Sequence, residues 1–199
     1  MENESKEYSK IINEYVSQCS SFLEYGIRGG MCGSAVISSL KNGHTSKWSP
    51  RYVGIDLIKD QSIEMLAKNS KDNDISFQFW QGHSSQYPLH ETDGFLWDIF
   101  HSGGALFNDL ERVSPYVHKY MIILGVRMFG DKSEAVIKGF DIQTVSRELQ
   151  VSEDYAKMGM REGIDKFLNL HKEWYIVRDF AEICVLCRKT PNPTNLFRA

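Results

Sequence analysis

Residues 21–40 read Ser21-Phe22-Leu23-Glu24-Tyr25-Gly26-Ile27-Arg28-Gly29-Gly30-Met31-Cys32-Gly33-Ser34-Ala35-Val36-Ile37-Ser38-Ser39-Leu40. A short apolar run of strand length carries an acid near its end, meets four closely spaced glycines, and then takes on a helical pattern. Gly26 suits a sharp turn at positive φ, while Gly29, Gly30 and Gly33 remove side chains where a ligand would approach the backbone and the helix amino terminus. In a doubly wound α/β sheet the first strand-to-helix loop is the usual cradle for a ligand. The phosphate loop GxxxxGK[ST] does not fit, because no Lys-Ser or Lys-Thr follows, and GxGxxG does not fit, because Arg28 holds the place of its second glycine. The looser E-x-G-x-x-G-G pattern does fit. On the loop alone, an equally good reading is that the glycines tighten an ordinary turn.

The chain on either side repeats the alternation. Ahead of the loop, Tyr8, Ile11, Ile12, Tyr15 and Val16 fall at helical spacing, predicting an amphipathic helix in the first 20 residues. Behind it, a helix over 32–40 is followed by a polar loop at 41–46 and a second strand at 52–57, then a helix over 61–70 and an aromatic strand at 75–80. Apolar runs at 94–100 and 120–126 flank a helix-length stretch at 104–118. Nearly continuous apolar strands alternating with helices predict a mainly parallel sheet covered on both faces. The end differs: one long helix over 153–171 precedes WYIVRDF and EICVLCRK, whose short joint forces antiparallel pairing. Pro191 and Pro193 mark an irregular tail.

At 199 residues the chain has the size of one domain, and we expect a helical segment over 1–20, one domain over 21–190 and a tail over 191–199. With 42% hydrophobic and 25% charged residues and a net charge of -3, it shows no electrostatic footprint for nucleic acid. No apolar run approaches the roughly 18 to 20 residues that span a bilayer, and MENESKEYSK is not signal-like, so we expect a cytoplasmic protein without membrane partners. The cysteines Cys19, Cys32, Cys184 and Cys187 form no disulfide framework; the last two, three apart in a strand, point to opposite faces and read as small apolar residues rather than zinc ligands. Phe77, Phe79, Trp80, Trp97 and Phe100 read first as core, with Trp97 or Phe100 also placed to stack on a ligand.

Taken in order, FLEYGIRGG, YVGIDL, HETDGFLWDIFH, HKYMII with MFGDKSE, and GIDKFLNLHKEW with the terminal ICVLCRK resemble the class I S-adenosylmethionine (SAM)-dependent methyltransferases. The likeness is to small bacterial and viral members related to the macrocin and cephalosporin-cluster O-methyltransferases, and it runs from about residue 22 to 189. It implies a Rossmann-like seven-stranded sheet with a carboxyl-terminal antiparallel hairpin. It also implies SAM as cofactor, with Glu24, Gly26 and Gly30 along its methionine end, Arg28 and Gly29 of the same loop among the cofactor-binding residues, Asp56 on the ribose and His83 and Ser84 beside the adenine. Asp98 would face the transferred methyl, with His101 in the same D-x-x-H element.

The sequence departs from that family where the fifth strand ends. Relatives carry a His-Asp-Thr-like triplet whose acid completes a divalent metal site; here Leu124, Gly125 and Val126 stand there, so a hard cation is held weakly or not at all. Asp131 and Glu134 are the nearby acids that would have to reach in. Without metal, Asp98 or His101 would take the proton of an acceptor hydroxyl, histidine being poised for that near neutrality. The resemblance therefore implies O-methylation of a small molecule, a sugar or sugar nucleotide among the candidates. The competing expectation is a noncatalytic binding or scaffolding protein of the same fold. The acceptor pocket falls to Met128, Phe129 and residues 136–149, and the exposed edge leaves room for a homodimer.

Overall fold

The computed structural model describes residues 2–27, 31–43 and 49–189. Its strands are β1 (Ser21–Tyr25), β2 (Arg51–Asp56), β3 (Ser76–Gln81), β4 (Thr92–Trp97), β5 (Val117–Leu124), β6 (Trp174–Phe180) and β7 (Ile183–Arg188). Its helices are α1 (Glu2–Val16), α2 (Met31–Gly43), α3 (Gln61–Asp72), α4 (Gly103–Val113), α5 (Glu134–Lys138), α6 (Ile142–Leu149), α7 (Glu153–Lys157) and α8 (Met160–Leu170). The strands form one sheet in the order β3-β2-β1-β4-β5-β7-β6, mainly parallel and closed by the antiparallel β6–β7 hairpin. The mainly parallel sheet is the one that the alternation of elements predicts, and the short joint between β6 and β7 pairs antiparallel as expected. The chain divides into two compact units, Met1–Trp97 with Lys119–Ile122, and Asp98–His118 with Ile123–Ala199.

In the first unit β1 lies parallel between β2 and β4, with Phe22 beside Tyr52 and Gly94, and Tyr25 beside Ile55 and Trp97. Phe22, Tyr25, Tyr52, Ile55, Phe95 and Trp97 are buried, which accounts for the unbroken apolar pattern of central parallel strands. Trp97 has no exposed surface and is core, not a stacking platform. The aromatic strand β3 ends the sheet order, so Phe77, Phe79 and Trp80 are half-buried rather than core. Helix α1 buries Ile11, Ile12, Tyr15 and Val16, and Tyr15 meets the Tyr120 ring edge-on at 5.1 Å. Helix α2 runs on through Lys41–Gly43, where a loop was expected; Lys41 sits in its last turn, complementing the helix dipole, and its Nζ donates to Asn73 Oδ1 at 2.7 Å.

In the second unit the helix expected over 153–171 is broken. Met158 pairs with Lys132 in an antiparallel bridge, and Gly159 caps α8 with its α carbon pressed on the loop after β5, so close that a Cβ would lie 2.2 Å from Gly130 O. The first amides of α8 then donate to that loop, Met160 N–H to Phe129 O at 2.8 Å and Arg161 N–H to Gly130 O at 3.1 Å. Tertiary partners thus replace the bonds a continuous helix would have made. The stretch 104–118 likewise splits, into α4, a 3-10 turn at Ser114–Tyr116 and the start of β5. Ser102, Ser133, Asp141 and Ser152 each cap the helix that follows, as their types favour.

Cys184 is buried, burial pushing its thiol up to about 12, while Cys187 is half-buried; all four cysteines are free. Among the described residues no helix is long and apolar enough to cross a membrane.

Candidate functional site

The first unit gathers one set of predicted residues at the carboxyl ends of three adjacent parallel strands, β1, β2 and β3. Gly26 turns the chain out of β1 at φ +85°, and its N–H donates to Ile55 O at 2.9 Å, holding the loop against the end of β2. Asp56 closes β2; its Oδ1 accepts from the Ile58 N–H at 3.0 Å, and its carbonyl accepts from the Gly82 N–H at 2.9 Å, which draws in the loop after β3. In that loop His83 caps the turn Ser84–Gln86, its Nδ1 accepting from the Ser85 N–H at 3.2 Å, and Ser84 is buried. Arg28, Gly29 and Gly30 lie outside the described residues.

Glu24 is buried, and its Oε2 accepts from the Tyr52 hydroxyl at 2.6 Å. Burial first, and the neighbouring Glu24 charge second, hold the Tyr52 phenol well above the ordinary tyrosine range, so it remains the donor. Tyr52 is a residue that local pattern does not flag: it reads as one more strand aromatic, and only strand register brings it to Glu24. Gly33 also has a different job from the one expected. A Cβ there would lie 2.8 Å from Tyr52 Oη and 2.9 Å from Leu66 Cδ1, so its missing side chain admits protein rather than ligand.

The second unit builds a charged cluster. Asp98 follows β4 directly, and its Oδ1 lies 3.6 Å from His101 Nε2. On the other side of the ring, His101 Nδ1 meets Glu134 Oε2 at 3.1 Å, with Glu134 on the first turn of α5. The backbone ties the same residues together: the Glu134 N–H donates to His101 O at 2.7 Å, and the His101 N–H donates to Glu134 Oε2 at 3.2 Å. The ring stacks on Phe129 at 4.6 Å between centroids. Gly125, at φ +75°, supplies the remaining wall, since a Cβ there would stand 2.2 Å from His101 Cδ2. The imidazole therefore uses the space that a side chain at position 125 would need. Of the two nearby acids weighed from sequence, Glu134 reaches this cluster.

Burial alone lowers the pKa of His101, but attraction to the Asp98 and Glu134 carboxylates outweighs it and holds the ring above the ordinary histidine value. Burial raises that of Glu134, and Lys138, the His101 amide and the His101 ring outweigh it and hold the carboxyl below its ordinary value. Among the described residues no group of three or more His, Cys, Asp or Glu is arranged to hold a metal ion.

No protein-family model matches the sequence, and no curated protein does. Solved structures do match. The O-methyltransferase of tomaymycin synthesis from Streptomyces achromogenes, in complex with SAM, aligns over 92% of this chain and 79% of its own at TM-score 0.56 and 12% identity. An O-methyltransferase from Bacillus cereus in complex with SAH aligns over 94% and 81% at 0.53 and 12%. An SAH-bound methyltransferase from Podospora anserina aligns over 92% and 78% at 0.57 and 11%. The shared property is the fold.

Proposed function

We propose that this chain is a SAM-dependent methyltransferase acting on a hydroxyl of a small molecule, with sugars and sugar nucleotides the first acceptors to try. The observation that carries the reading is the convergence of Gly26, Asp56 and the His83 loop at three adjacent strand ends, in a sheet of methyltransferase order. The donor set suits the ligand: a turn with positive φ removes bulk at the mouth of β1, and carboxylates answer a ribose diol and a cationic sulfonium. Glu24, locked by Tyr52, supports the first loop, Asp56 takes the ribose, and His83 and Ser84 border the base. When bound, SAM supplies a methyl group already activated for transfer.

The protein's task is then to align an acceptor and handle one proton. Asp98 is the more exposed acid of its cluster, at 35% against 14% for Glu134, and we assign it to the acceptor hydroxyl. His101, with both ring nitrogens turned to carboxylates, backs it. That full engagement also favours a second reading, a noncatalytic protein that keeps the cofactor pocket. We take residues 21–190 as one working domain of a cytoplasmic protein.

Calorimetric titration of SAM and SAH, with and without magnesium, tests the reading. Micromolar, metal-independent binding followed by methyl transfer to any hydroxyl acceptor supports it. Absence of binding at millimolar ligand overturns it, and binding without transfer across a broad acceptor panel selects the second reading.

A further inference from the structure

Glu134 lies 33 residues beyond His101 in the chain and on a different element, yet the two are joined by three separate hydrogen bonds. The side-chain carboxylate takes both the ring Nδ1 and the backbone N–H of His101, and the Glu134 amide returns a bond to the His101 carbonyl. A residue that merely neutralised a nearby charge would need none of the backbone bonds. The ring is also held on one face by Phe129 in stacking contact and bordered at its Cδ2–Nε2 edge by Gly125, where a Cβ would stand 2.2 Å from Cδ2. With Nδ1 on Glu134, Nε2 lies 3.6 Å from Asp98 Oδ1.

Exposure orders the chain of acids and base. Glu134 is 14% exposed, His101 17% and Asp98 35%, so Asp98 is the most open of the three to an incoming group. The loop holding the ring is itself fastened, since Glu182 in the β6–β7 turn accepts from the Arg127 and Met128 amides at 3.1 and 2.9 Å. Charged groups that meet the ring are Asp98 from its own loop and Glu134 from α5, with Lys138 on the far oxygen of Glu134; from the loop after β5, Phe129 stacks on it.

We propose that Glu134 is a positioning residue: by pinning His101 from behind it fixes Asp98, so that Asp98 and not His101 meets the acceptor hydroxyl. In this arrangement the hydroxyl proton passes to the Asp98 carboxylate and the O–H electron pair stays on the acceptor oxygen. His101 holds its own proton throughout. The catalytic part rests on the methyltransferase reading, whereas the pinning does not.

The two are separated by observing the ring directly. With the full chain labelled at histidine nitrogen, long-range proton–nitrogen NMR reports the state of each ring nitrogen, His101 being assigned by its loss in His101→Gln. We expect a titration midpoint above the ordinary histidine value of about 6.5, with both nitrogens protonated below that midpoint. Glu134→Gln should lower that midpoint while the fold, followed by circular dichroism, and the affinity for SAM stay unchanged. A midpoint at or below the ordinary histidine value, or one that Glu134→Gln leaves in place, overturns the proposal. If Glu134→Gln does not fold, Lys138→Ala replaces it, and freeing the outer oxygen of Glu134 must then raise the midpoint. Once an acceptor is known, kcat must fall as pH rises through the His101 midpoint, and Glu134→Gln must lower kcat at least about tenfold with little change in KM for SAM. A rate that rises through that midpoint would make His101 the base and also overturn the proposal. Failure to bind SAM would remove the functional reading while leaving the NMR result to stand or fall alone.

Discussion

The Tyr52 hydroxyl donates to Glu24 Oε2 at 2.6 Å inside the first unit, joining the second residue of β2 to the acid near the end of β1. Neither group reaches bulk water, Glu24 being 1% exposed and Tyr52 fully buried. A buried carboxylate that loses a donor bears the cost of desolvation without its compensation. Tyr52→Phe should therefore cost about 1–3 kcal/mol in urea unfolding. Glu24→Gln, which keeps an acceptor for the hydroxyl, should cost less. Equal losses would mean that the pair contributes only volume.

Gly125 leaves room for the His101 ring in two ways, through its φ of +75° and through the absent Cβ that would stand 2.2 Å from Cδ2. Gly125→Ala should lower stability by about 1–3 kcal/mol and displace the ring, visible as a changed His101 NMR signal. A stable variant with an unmoved ring would show that the loop adapts freely.

Charge on the same cluster sets a pH dependence. His101 is raised in the folded state, so its stabilisation is complete below the unfolded value of about 6.5 and is lost as pH climbs through the folded one. Glu134 is lowered, so its stabilisation is complete above about 4.3 and is lost as pH falls through the folded value. Both are fully present only between those limits. Denaturant unfolding from about pH 5.5 upward should show the wild-type advantage over His101→Gln shrinking. An advantage that grows with pH would contradict the ion-pair geometry.

Asp56 ends β2 and also binds its own Ile58 amide, so a simple truncation confuses two effects. Asp56→Asn retains a side-chain oxygen for that turn but loses the charge. If Asp56 holds a ribose, Asn should weaken SAM binding by roughly 10- to 100-fold, the worth of a charge-assisted bond, with little loss of stability. Unchanged affinity with lower stability for Asp56→Ala would reduce the residue to a strand terminator.

Much of the fold is written in short-range pattern. The strand cores from Phe22, Tyr52 and Phe95 onward, the glycine turn at Gly26 and the tight hairpin between Phe180 and Ile183 all depend on neighbours in sequence, where periodicity and turn chemistry act. Asp56 was legible for the same reason, as a carboxylate placed where an apolar strand stops, whereas Asp98 and His101 were singled out through the family resemblance. The break between α7 and α8 was not legible, because residues 153–171 keep helical spacing and the bonds that interrupt them come from Phe129 and Gly130. Likewise β3 looks like a core strand until the sheet order puts it at the edge.

The sequence by itself determined the alternating α/β architecture, its antiparallel end and the acids and glycines at the strand ends, since each follows from local periodicity. Only the tertiary structure decided what those acids touch. Glu24 is tied to Tyr52 by strand register, and His101 is gripped by Glu134 and Gly125 from separate parts of the chain. Such contacts depend on which distant surfaces pack together, and no spacing along the chain encodes that.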